Sequence, residues 1–253
     1  SAVRGRTVPQ AVRFQARSEE LNPTPDMAQL SETLISIPVG DVFLEGTLHV
    51  PTDATGLVMF AHGSGSSRRS PRNNYVANVL RDRHLGTLLF DLLTEAEDQS
   101  PETRFDISLL ANRLVAATEW LRERDETTDL RTGYFGASTG AAAALRAADR
   151  LDGTIGAIVS RGGRVDLAAQ VLPAIQAPCL FVVGGADTPV LRLNREAYAQ
   201  LVCEKALHVV EGAGHLFEGE GQLEEWPGSP PSGLATICRK AAGRSTKSRE
   251  AEA

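Results

Sequence analysis

From Thr33 onward the chain alternates short runs rich in aliphatic and β-branched residues with runs of helical periodicity, and no other feature limits its fold as much. Parallel strands cannot be joined by a tight turn and need a crossover, usually a helix. Strands that alternate with helices therefore predict a mostly parallel sheet wrapped by helices. The runs TLISIPV and VFLEGTLHV, split by Gly40-Asp41, predict an antiparallel opening hairpin. GLVMFAH, at residues 56–62, is apolar throughout, as a strand buried on both faces must be.

The pattern continues with a helix over 72–83 and the strand LGTLLFDL over 85–92. Ile107, Leu110, Leu114, Ala117 and Leu121 recur at steps of three and four, so they share one helix face, while Arg113, Glu119 and Arg122 point elsewhere. The strand LRTGYFG, an Ala-rich helix through 141–148, and the strands TIGAIVS and CLFVVGG follow. A helix from about Pro189 to Leu201 and a last strand, KALHVVEG, complete the series.

At 253 residues this series suits one α/β domain, over 31–240. Residues 1–30 carry scattered arginines and proline steps without periodicity and read as a flexible leader; 241–253 read as a polar, disordered tail. A net charge of −6 argues against a nucleic-acid binder. No apolar run reaches the roughly 18 residues of a membrane span, and no signal-peptide pattern opens the chain, so no membrane partner and a cytoplasmic location are expected. Cys179, Cys203 and Cys238 are widely spaced without a C-x-x-C pair, which suggests neither a metal site nor a disulfide framework. Cys179, inside APCLFVV, reads as a buried thiol.

Gly136-Ala137-Ser138-Thr139-Gly140 is a G-x-S-x-G sequence lying directly after a strand and opening a helix. A strand-to-helix turn that sharp needs small neighbours, and it lifts the serine hydroxyl above the sheet beside a helix N-terminus, whose free N–H groups suit a developing oxyanion. Serine is a weak nucleophile and needs an imidazole oriented by a carboxylate. His215 lies in the loop EGAGHLF after the last strand, at the same sheet end as Ser138; His208 falls within that strand and His84 beside a charged stretch. Asp187, just after CLFVVGG, is the candidate acid, although it could instead cap the following helix. Asp91 also ends a strand but precedes the serine.

The motifs AHGSG (61–65), GASTG (136–140), GGAD (184–187) and GAGH (212–215), in this order and each after a strand, resemble the α/β-hydrolase superfamily, specifically its dienelactone hydrolase-like branch, over residues 33–217. The resemblance implies a catalytic Ser138, Asp187 and His215, and an oxyanion hole formed by the backbone N–H groups of Ser64 and Thr139. It brings His62 and Gly63 close to the substrate and implies no cofactor and no metal. HGSGSSRRS lacks the G-K-[ST] ending of a phosphate-binding loop. The founding dienelactone hydrolases carry cysteine in the elbow, so the serine points to ordinary carboxylic esters rather than dienelactone itself.

The stretch between Ser160 and Cys179 is too short for a lid domain, which favours an open site and small or short-chain esters, or lactones, as the small-molecule partner. Arg161 and Arg68 are candidates for gripping an anionic group on the substrate. The same residues also suit amide or thioester cleavage, acyl transfer, or a binding protein without turnover.

Overall fold

The computed structural model describes residues 32–219 and 221–223; the expected leader over 1–30 and tail over 241–253 lie outside the described residues. In chain order the elements are β1 (Thr33–Val39), β2 (Val42–His49), β3 (Leu57–Ala61), α1 (Pro71–Arg81), β4 (Gly86–Phe90), α2 (Pro101–Arg104), α3 (Ile107–Arg122), β5 (Thr132–Ala137), α4 (Thr139–Arg150), β6 (Ile158–Arg161), β7 (Cys179–Gly184), α5 (Thr188–Gln200) and β8 (Lys205–Val210). The eight strands form one sheet in the order β1-β2-β4-β3-β5-β6-β7-β8. β1 and β2 form the expected hairpin, with Val39 opposite Val42, and β2 runs antiparallel to β4. All later pairings are parallel.

Local chemistry sets the helix starts. The Ser70 hydroxyl accepts from Asn73 N at 3.4 Å and Pro71 opens α1; Asp106 accepts from Leu109 N at 3.0 Å at the start of α3. Ile107, Leu110, Leu114, Ala117 and Leu121 are all buried against the sheet, and each large member contributes about 1.5–3 kcal/mol through burial. α3, α4 and α5 cover one face of the sheet, packing Leu114, Leu145 and Ala197 into the larger core. α1 covers the other, where Val76 and Leu80 meet Phe60, Phe135, Val159 and Val182. β3, β4, β5 and β7 are buried along their whole length, which is why their sequences do not alternate.

Two expectations are corrected. Arg113 does not face solvent: it is 8% exposed, donating to Glu97 at 2.7 Å and to the Val39 carbonyl at 3.1 Å. The strand anticipated from Thr154 begins only at Ile158, because Asp152 (φ +40°) and Gly153 (φ +69°) turn the chain first. Between β6 and β7 lie only short 3-10 turns, at Val165–Ala168 and Leu172–Ala174, so no lid domain interrupts the sheet edge among the described residues. Among those residues, no helix is long and apolar enough to cross a membrane.

Chain order fixes where a site can form. From β3 the chain moves to β4 on one side, and β5 then pairs with β3 on the other. The connections leaving the carboxyl ends of β3 and β5 thus diverge, opening a crevice at that end of the sheet.

Candidate active site

Ser138 stands at this crevice, between the end of β5 and the start of α4, with φ +51° and ψ −120°. That conformation is strained for a residue with a side chain and costs about 1–3 kcal/mol. It persists because close packing fixes the turn. A Cβ on Gly136 would fall 2.4 Å from Ala141 Cα, and one on Gly140 would fall 2.0 Å from the Ala61 carbonyl oxygen. Only glycine lets α4 approach β5 and β3 this closely. Ser138 N–H donates to the Arg161 carbonyl at 3.2 Å, and the Ser138 carbonyl accepts from Arg164 N–H at 3.0 Å. Although Ser138 holds the N-cap position, its hydroxyl makes no capping bond.

Asp187 and His215 are brought together by the adjacent strands β7 and β8. Their following loops are tied by Gly185 N–H to the Val210 carbonyl at 2.8 Å and Ala186 N–H to the Ala213 carbonyl at 2.9 Å. His215 Nδ1 lies 2.7 Å from Asp187 Oδ2. The other oxygen, Oδ1, accepts from Val190 N–H at 3.4 Å and caps α5. Asp187 thus caps α5 with one oxygen and meets the His215 imidazole with the other. Its side chain is 12% exposed and that of His215 38%, so the imidazole presents an open edge to solvent. A Cβ on Gly162, one residue past Arg161, would lie 3.6 Å from His215 Nδ1, so a single glycine separates the elbow's neighbouring strand from the imidazole. Asn194, buried on α5, donates to the Gly163 carbonyl at 2.8 Å and holds this loop from below.

The other histidines and the competing carboxylate are engaged elsewhere. Asp91 receives the Arg68 N–H at 2.7 Å and pairs with its guanidinium. His84, at φ +61°, meets Asp53 on the surface, and His208 lies within β8.

The loop after β3 packs on the elbow, and a Cβ on Gly63 would lie 3.0 Å from Ser138 Cβ. Ser64 N–H donates to the Thr139 hydroxyl at 2.9 Å. This joins the two segments named for the oxyanion hole, and it occupies one of the two N–H groups in the free protein. His62 is buried: Nε2 accepts from Leu92 N–H at 3.0 Å, which leaves the proton on Nδ1 to be donated to the Gly63 carbonyl at 2.9 Å. Burial, the largest influence, lowers its pKa and favours this neutral form. His62 thus braces the loop after β3 against the loop after β4.

His62 and Arg68 also line a cavity of about 430 Å³ beside this loop, with Phe43, Asp91, Leu93 and Thr94 among the other walls; Ser138, Asp187 and His215 do not line it. Arg161 turns toward α1, where it is 8% exposed, lies over the Phe135 ring and donates from Nη2 to Asn73 Oδ1 at 3.2 Å. Its Nη1 is buried without a partner. Desolvation, with a smaller push from Arg72, lowers its pKa to about 10. Neither the Asn73 partner nor the Thr139–Ser64 contact has a signature in the sequence.

A mostly parallel sheet that carries a strained serine on a strand-to-helix turn, with glycines packed on both sides, defines an α/β-hydrolase. No family model matches the chain. A solved dienelactone hydrolase from Anabaena variabilis is 53% identical, covers 76% of this chain and 91% of its own, and superposes with a TM-score of 0.75. The chain therefore belongs to the dienelactone hydrolase family. Est1E from Butyrivibrio proteoclasticus, 15% identical with a TM-score of 0.69 and covering 84% of this chain and all of its own, shares the fold. A Mycobacterium tuberculosis protein, from strains CDC 1551 and H37Rv, is 50% identical over 184 residues, 73% of this chain, and bears the provisional name phosphoribosyl transferase. The match spans only 42% of that relative's length.

Proposed function

We propose that the protein is a serine hydrolase of small or short-chain carboxylic esters, lactones included, acting through Ser138, His215 and Asp187. The 2.7 Å contact between His215 Nδ1 and Asp187 Oδ2, beside a strained Ser138 whose hydroxyl is not spent on capping, carries this reading. With Nδ1 committed to the carboxylate, Nε2 is the nitrogen that takes the Ser138 proton as the hydroxyl attacks the ester carbonyl. Thr139 N–H and Ser64 N–H stabilise the oxyanion; the Thr139 hydroxyl must first rotate away from Ser64. The imidazolium then protonates the leaving alkoxide, and a water activated by the neutral imidazole releases the acid from the acyl-serine.

The short connection between β6 and β7, with no lid domain among the described residues, supports small or short-chain esters; the cavity of about 430 Å³ lined by His62 lies beside the loop after β3 and not at the triad. Arg161, a buried cation with an unpartnered Nη1, is our candidate for contacting a substrate anion, since burying a charge without a counter-charge is costly. Arg68, already neutralised by Asp91, contributes as a wall of the cavity. The transferase name of the mycobacterial relative belongs to a protein more than twice as long as the matched stretch, and it does not redirect the chemistry proposed for these residues. Turnover of p-nitrophenyl acetate by the wild type, reduced to background in Ser138→Ala, is the expected result; equal turnover by both proteins would sink the proposal.

A further inference from the structure

α5 buries a stripe formed by Val190, Leu191, Asn194 and Ala197, and Asn194, 0% exposed, is its polar member. Their spacing puts these residues on one face of the helix, where an apolar side chain is the rule. Asn194 Nδ2 donates to the Gly163 carbonyl at 2.8 Å and, one turn back in its own helix, to the Val190 carbonyl at 2.9 Å. Its Oδ1 is buried without a partner among the described residues. A leucine of the same shape would bury no orphaned oxygen, so stability does not account for an asparagine here. What asparagine supplies and leucine lacks is the donor to Gly163.

That bond ends on the segment that holds the nucleophile. Residues 161–164 touch Ser138 twice, because the Arg161 carbonyl accepts from Ser138 N–H at 3.2 Å and Arg164 N–H donates to the Ser138 carbonyl at 3.0 Å. Between those contacts Gly162, at φ +52°, borders His215: a Cβ there would lie 3.3 Å from the His215 carbonyl oxygen and 3.6 Å from Cε1. Gly163 follows, packed so closely that a Cβ would fall 2.0 Å from Ser160 Oγ. The segment thus bonds to the nucleophile and borders the base, and Asn194 anchors it from α5. Asp187 caps the same helix seven residues earlier, about two turns away on the same face.

We propose that Asn194 is a positioning residue: through the Gly163 carbonyl it holds Ser138 in line with the Asp187–His215 pair, so that α5 sets the acid and the nucleophile on one frame. The inference rests on the roles of Ser138, His215 and Asp187 in ester cleavage. The contact between Asp187 and His215 is fixed separately, by the bonds from Gly185 N–H to the Val210 carbonyl and from Ala186 N–H to the Ala213 carbonyl. Loss of the Asn194 donor therefore leaves the base oriented and lets the serine drift. The effect falls on the attack of Ser138 Oγ, during which its proton passes to His215, and little on substrate binding.

Two substitutions in the full chain test this. Asn194→Leu removes the donor and keeps the shape; Asn194→Thr keeps a hydroxyl that can bond the Val190 carbonyl but is too short to reach Gly163. Each is assayed with p-nitrophenyl acetate, and with a fluorophosphonate followed to completion by intact-mass spectrometry. The expected kcat is lower by about 10–100-fold with KM within about threefold of wild type. Phosphonylation of Ser138 should slow by a similar factor and still reach every chain. A slow but complete reaction marks a misaligned serine, whereas an unfolded fraction lowers the endpoint and leaves the rate of the remainder unchanged. Wild-type rates in a folded variant, a loss confined to KM, or a lowered endpoint at the wild-type rate would overturn the proposal. Should Asn194→Leu not fold, Asn194→Thr decides by the same measurements. A wild type that takes up no phosphonyl group would overturn Ser138 as the nucleophile and this inference with it; a labelled wild type with unaffected variants removes the role of Asn194 alone.

Discussion

Asp187 serves two partners with two oxygens, so substitutions can separate its roles. The change Asp187→Asn keeps the size of the side chain and an oxygen able to accept from Val190 N–H, and asparagine caps helices as well as aspartate does. The charge is lost, however, and an amide NH₂ turned toward His215 favours the tautomer protonated on Nε2, which cannot accept the Ser138 proton. The expected loss in kcat is about 10³–10⁴-fold, equivalent to about 4–5.5 kcal/mol of transition-state stabilisation. Asp187→Ala should lose a similar factor and also the cap, at about 1 kcal/mol, which lowers Tm by about 2–4 °C in a domain of this size. Short p-nitrophenyl ester hydrolysis and thermal unfolding read the two effects separately. If Asp187→Asn kept activity within tenfold of wild type, Asp187 would be a helix cap and not the orienting acid.

Around the elbow, Thr139→Val removes the hydroxyl that occupies Ser64 N–H while preserving the backbone, so kcat/KM for short esters should stay within about tenfold; a loss of about 100-fold would assign the hydroxyl itself to oxyanion stabilisation. Arg161→Met keeps apolar cover over Phe135 but removes the charge. KM for anionic esters should rise about tenfold or more with neutral esters little changed, and an equal effect on both would refute the contact. Because His62 has a lowered folded pKa, the unfolded chain binds its proton first as pH drops. Stability should therefore be complete above the unfolded pKa of 6.5 and fall as pH descends through it toward the folded value. Urea midpoints at pH 7.5 and 5.0 should differ less in His62→Gln than in wild type; an unchanged difference would remove His62 from the account.

The strands were legible because burial on both faces leaves uninterrupted apolar runs, and the hairpin because Gly40-Asp41 separates two alternating segments. Arg113 was not, since periodicity identifies the face that meets the sheet but not that Glu97 would cover the far side. The start of β6 was misplaced because Thr154 and Ile155 have strand-like, β-branched side chains, whereas two positive φ angles just upstream decide where the strand begins. Ser138, Asp187 and His215 could be placed because each follows a strand and parallel topology sends all such ends to one edge. What joins the site depends on contacts between distant segments: Ser64 with Thr139, His62 with Leu92, and Arg68 with Asp91. Arg161 was placed at the right sheet end, but alternation along β6 turns its side chain toward Asn73 on α1.

Covalent trapping tests most directly whether Ser138 is a nucleophile activated by His215. After incubation with a fluorophosphonate, intact-mass and peptide mass spectrometry should show one phosphonyl adduct on the peptide carrying Ser138, absent from Ser138→Ala and formed far more slowly in His215→Ala. A wild-type protein that remains unmodified, or an adduct that persists in Ser138→Ala, would contradict that role.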